Sequence, residues 1–103
     1  MRMLLKAQMP TETANAGLKD GSLGDSLNSI LADTNPEAVY FLIADGLRTV
    51  IVVFDMQDVS ELPVIVEPWF LAFGASVSVT PVLNAEDFAN VGPALGSVVQ
   101  KYG

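Results

Sequence analysis

Between residues 38 and 55 two β-rich runs flank Asp45-Gly46, a dipeptide typical of a tight hairpin turn. Neither run alternates apolar with polar positions. In the first, Val39, Phe41 and Ile43 point one way and Tyr40, Leu42 and Ala44 the other. In the second, Ile51 and Val53 oppose Val50, Val52 and Phe54. An antiparallel hairpin with one face in water would alternate. The pattern therefore predicts a hairpin that needs cover on both sides.

Other stretches read more simply. Residues 2–9 split cleanly at period two, with Met3, Leu5, Ala7 and Met9 on one face and Arg2, Leu4, Lys6 and Gln8 on the other, which predicts a half-buried strand ended by Pro10. Residues 12–33 carry a helical stripe of Ala14, Leu18, Leu23, Leu27, Ile30 and Leu31, with Thr11 as the expected N-cap. Glycines interrupt that stripe, so a break is expected near Lys19-Asp20-Gly21-Ser22, with a second helix from about Ser22. Asn35-Pro36 marks a turn before the hairpin. Asp58 with Glu61 resembles a capping box, with Ser60 as an alternative cap, for a helix bearing Val64, Ile65, Trp69, Phe70 and Phe73, with a kink or restart expected at Pro68 and a stop at Gly74. The last strand is expected over Ser76–Val82. Asn84 with Asp87 opens a terminal helix striped by Phe88, Val91, Leu95 and Val98 and interrupted at Gly92-Pro93.

The order strand, helix, two-stranded hairpin, helix, strand is the βαββαβ plan of an α+β, ferredoxin-like fold. Right-handed crossovers give a four-stranded antiparallel sheet of order 4-1-3-2, with a C-terminal helix appended. Both crossover helices lie on one face of that sheet. The other is left open, although the hairpin is apolar there.

Length and composition sharpen this. The 103 residues fit one domain, residues 1–103, and a hydrophobic share of 50% argues against disorder. So small a domain has too few helices to cover two apolar sheet faces, which points to a homodimer through the open face. With 5 Lys plus Arg against 12 Asp plus Glu, a net charge of −7, nucleic acid is not an expected partner. The absence of Cys and His removes thiolate chemistry, the usual general base and the usual haem ligand, so no cofactor or metal is expected. The apolar part of Met1–Met9 is short for a signal peptide, and no stretch approaches the ~18 apolar residues of a membrane span. The expected setting is soluble and cytoplasmic, without a membrane partner.

Several segments resemble a family of small uncharacterised bacterial proteins: residues 15–31 with Lys19-Asp20-Gly21-Ser22-Leu23-Gly24, then Pro36–Phe41, Glu67-Pro68-Trp69-Phe70 and Pro81–Asp87. Those proteins look like members of the dimeric α+β barrel group, in which two sheets pack through their open faces. The resemblance implies that fold and that dimer. The wider group includes cofactor-free monooxygenases, muconolactone isomerases and haem-dependent chlorite-degrading enzymes. It implies no activity here, because fold does not carry function. The chain lacks a His for haem, and no monooxygenase or isomerase motif is recognisable in it.

Candidate chemistry sits on the open face. Lys6, Gln8, Tyr40, Arg48 and Thr80 are the candidates to rim a small pocket for an anionic or phenolic molecule, with Ser76 and Ser78 adding to its polar half; the plainer reading, which the pattern favours, is that these hydroxyls simply bond water. Antiparallel pairing is expected to bring Lys6 close to Arg48 and Arg2 close to Asp55, the latter as a surface ion pair of little worth. Trp69 reads as core. Asp45 with Asp55 and Glu61 with Glu67 are formal carboxylate pairs, but nothing places either in a buried cleft; Asp45 belongs to the turn, Glu61 to a cap, and Glu86 and Asp87 to a helix start. The helix start near Ser22 is a candidate anion site through its free N–H groups. The main functional reading is a homodimeric barrel protein that binds a small molecule, or an assembly module that does no chemistry. The alternative is a cofactor-free enzyme acting on an aromatic or polyketide-like substrate, with Tyr40, Lys6 and Arg48 as its groups. A protein partner along an edge strand is a third.

Overall fold

The computed structural model describes residues 1–103. Its elements are β1 (Arg2–Gln8), α1 (Thr11–Asp20), α2 (Ser22–Thr34), β2 (Ala38–Ala44), β3 (Leu47–Asp55), a 3₁₀ turn at Val59–Glu61, α3 (Leu62–Phe73), β4 (Ser76–Pro81), α4 (Ala85–Ala89) and α5 (Gly92–Tyr102). The sheet runs β2-β3-β1-β4, antiparallel at every pairing, which is the expected order read from the other edge.

The split of β1 follows its period-two pattern. Met3, Leu5 and Ala7 pair with Phe54, Val52 and Val50 of β3, and all six are buried under the helices with Met9. Ala14 of α1, Ile30 of α2 and Trp69 and Phe73 of α3 close this core. Trp69 is only 1% exposed, its ring centroid 5.9 Å from that of Phe73, as its place on an apolar helical stripe suggests.

Local signals settle the joints. Asp45 (φ 55°) and Gly46 (φ 73°) both take left-handed conformations, the requirement of a type I′ hairpin turn. Gly21 (φ 84°) breaks the first helical stretch between α1 and α2. Asp58 with Glu61 forms a capping box as read, and Asn84 with Asp87, read as a helix start, forms a second one. Gly74 (φ 60°) ends α3.

Two local expectations need correction. Thr11 is the first helical residue of α1 rather than its cap; Pro10 holds the cap position, and no side chain caps that end. Nor does α3 restart at Pro68, which lies inside a continuous helix. The carbonyl that Pro68 leaves unpaired belongs to Val64, a residue on the solvent side where water reaches it.

The C-terminal helices stand apart. No residue of α4 or α5 is buried, and the molecule extends 59 Å along its longest axis.

Candidate functional site: the open face of the sheet

Pairing places the open-face side chains in three cross-strand rows. Leu42, Thr49, Gln8 and Ser76 form one, Tyr40, Ile51, Lys6 and Ser78 the next, and Ala38, Val53, Leu4 and Thr80 the third. Each row is largely apolar on the β2–β3 side, and its end on β4 carries a hydroxyl. Leu4 is the apolar intrusion on β1. Tyr40, 63% exposed, and Leu42 stand on this face with no element above them, whereas Thr49, the one buried polar residue, donates to the Leu47 carbonyl at 3.0 Å.

Four of the five sequence-predicted site residues, Lys6, Gln8, Tyr40 and Thr80, share this face. Tyr40 and Lys6 lie in one row with Ile51 between them, so their strands are ~10 Å apart. Gln8 donates to the Ala44 carbonyl at 3.1 Å and to the Asp45 carboxylate at 3.0 Å, and the Lys6 ammonium lies 3.9 Å from that carboxylate. The turn thus holds the polar side chains of β1 over the sheet.

Arg48 is the exception. It pairs with Ile43 and shares its side of β3 with Val50 and Val52, so it lies on the helix-covered face. There its guanidinium donates to the Asn15 amide oxygen of α1 at 2.9 Å. Lys6 pairs with Ile51, not near Arg48, so Tyr40, Lys6 and Arg48 do not converge as a catalytic set. The parity was available in the sequence: a two-residue turn at Asp45-Gly46 sets Ile43 against Arg48 and Tyr40 against Ile51.

Arg48 helps to wall an apolar groove of about 300 Å³ at the hairpin end, lined by Met9, Leu23, Leu27, Phe41 and Ile43 among others. Phe41 is 64% and Ile43 72% exposed there, although both face the helix side. The sequence pattern marked these residues as needing cover, and α2 does not reach them.

The opposite end of the sheet is charged. Arg2 and Asp55 are register partners, as expected, but form no ion pair with each other. The N-terminal amine takes Asp55 at 2.7 Å, while Arg2 bonds Glu37 at 3.1 Å and also bonds Asp87 of α4. Hydrogen bonding to Glu37 holds the Arg2 guanidinium above its ordinary value. The backbone N–H of Asn84, with the Arg2 charge, holds the Asp87 carboxyl below its ordinary 3.8. This cluster pins the start of α4 to the sheet.

The helix start at Ser22 offers less than its position suggests, because the Ser22 N–H already donates to Asp20 at 2.8 Å. No group of three or more carboxylates gathers as a metal site, and no helix is long and apolar enough to cross a membrane.

No protein-family model matches the chain, and no curated protein does. Among solved structures, it is similar to a formyltetrahydrofolate deformylase from Pseudomonas putida KT2440, with 15% identity, a TM-score of 0.51, and coverage of 80% of this chain but 29% of that one. The chain thus spans about three tenths of the deformylase. The likeness establishes a ferredoxin-like α+β fold. A de novo designed protein, Ferredog-Diesel, also overlaps, at 15% identity and a TM-score of 0.47, over 79% of this chain and 85% of that one. Identity this low speaks to fold and leaves function to the site.

Proposed function

We propose that the chain is a homodimeric binding module. Two copies meet through their open sheet faces, and the polar half of each face lines an interior that takes a small anionic or phenolic molecule. The observation that carries this is the open face itself, where Tyr40, Leu42, Ile51 and Val53 form an apolar half without cover beside the polar strip of Lys6, Gln8, Ser78 and Thr80. A second copy removes the apolar half from water without any new element. Lys6 supplies the cation for an acid group, and Tyr40, Gln8 and Thr80 supply hydrogen bonds to a phenol.

Light scattering at micromolar concentration is the first test. Twice the 10.9 kDa chain mass is expected, and folded material at the single-chain mass overturns the reading. Thermal shift against a panel of aromatic carboxylates and phenols tests the interior. Stabilisation by a carboxylate that Lys6→Ala abolishes supports the binding role. A panel without effect reduces the protein to an assembly module.

A further inference from the structure

The C-terminal helix is poorly explained by its own subunit. A compact chain of this length has a radius of gyration of about 13 Å, and this one has 17.1 Å. A monomer of this mass exposes about 5,600 Å², and this chain exposes 6727 Å², roughly 1,100 Å² more. Every residue of α5 contributes to that excess, all of them being exposed. Leu95, Val98 and Tyr102 recur at helical spacing and form an apolar stripe facing water. Isolated helices shorter than ~12 residues are marginal, and Gly96 inside α5 costs about 1 kcal/mol more. Such a helix is held by something it packs against.

The Arg2–Asp87 contact starts α4 at one end of β1, whereas the apolar groove under Phe41 and Ile43 lies at the other, ~20 Å along the strand. Open-face packing leaves Phe41 and Ile43 of that groove uncovered, because both point to the helix side.

We propose that the two copies exchange C-terminal arms, with α5 of each laying its Leu95–Val98–Tyr102 stripe into the hairpin groove of the other. The inference rests on the open-face dimer, which brings the second copy within reach. Charge agrees: residues 88–103 carry only Lys101, a charge of +1, and residues 1–87 carry twelve carboxylates against four cations, −8. A basic-tipped arm is drawn to an acidic body and away from other arms. Because each copy gives an arm and receives one, the contact closes on itself.

The test uses full-length chains. Leu95→Asp with Val98→Asp alters only exposed positions, so the fold is kept, and the dimer dissociation constant should rise at least about tenfold. The chain has no cysteine, so a Val98→Cys chain mixed with a mass-tagged Phe41→Cys chain reports the contact directly through a short bis-maleimide. A cross-link between the two chains supports exchange. An unchanged dissociation constant together with no 98–41 cross-link overturns it and leaves the open-face dimer standing. If Ile51→Asp still dimerises while the Leu95→Asp/Val98→Asp chain is monomeric, the arm contact stands and the open-face reading falls.

Discussion

Arg2, at the start of β1, bonds Asp87 of α4 across 85 positions of sequence, and Asp87 also accepts the backbone N–H of Asn84. One carboxylate therefore caps α4 and ties it to the sheet. Asp87→Asn removes both the charge and part of the cap, and Arg2→Gln removes the tie, together with the bond to Glu37, but leaves the cap. Hydrogen exchange of the amides of residues 85–90 should speed up in both variants, more in Asp87→Asn, with core amides of β1 and β3 unchanged. Equal exchange in the two variants would mean that the tie, not the cap, orders α4.

Ile51 and Val52 adjoin in β3 and answer to different partners. Val52 is 1% exposed under the helices, and Ile51 lies on the open face between Tyr40 and Lys6. Val52→Asp buries an uncompensated charge and should cost about 4 kcal/mol or more, enough to unfold much of a small domain. Ile51→Asp should leave the circular dichroism spectrum intact and halve the mass in solution. Unfolding by both would show that the open face is structural rather than an interface.

How much of this was legible follows from the range of each signal. Strand faces, the Asp45-Gly46 turn, the Gly21 break, the Asp58-Glu61 capping box and the helix start at Asn84 are local, and the structure keeps them. The pairing of Arg2 opposite Asp55 was also expected, from antiparallel pairing of β1 with β3. The choice of charge partner was not. Arg2 reaches past Asp55 to Glu37 and Asp87 because the N-terminal amine has taken Asp55, a competition set by tertiary position. Arg48 was assigned to the wrong face although the turn fixes its parity. The detachment of α5 was invisible, since an apolar stripe looks the same whether its own subunit or another covers it.

Stability should be flat through neutrality and fall in acid. The chain has no His, so no side chain with an ordinary value between pH 5 and 8 titrates. Asp20, Asp58 and Asp87 are each held below 3.8, chiefly by hydrogen bonds from Ser22, Ser60 and Asn84. A carboxyl lowered in the folded state stabilises it above the unfolded value, and that stability is lost as pH falls through the folded value. Urea midpoints should therefore agree at pH 7 and pH 5 and drop below about pH 4. A rise in the urea midpoint between pH 7 and pH 5 would mean that some carboxyl is raised rather than lowered in the folded state.

Two glycines should respond to alanine with opposite signs. Gly24 lies inside α2 with open space around it, so Gly24→Ala meets no clash and removes backbone freedom from the unfolded chain. A gain of about 0.5–1 kcal/mol is expected. Gly46 also has open space around it, but its φ of +73° is one that a Cβ disfavours, so the substitution strains the turn whatever the room. Gly46→Ala should cost about 1–2 kcal/mol. Because neither site has a neighbour to collide with, the difference isolates backbone conformation from packing, and urea denaturation of the two variants measures it. A stabilised Gly46→Ala would mean that the hairpin does not use a left-handed turn, and the register that sets Tyr40 against Ile51 would fall with it.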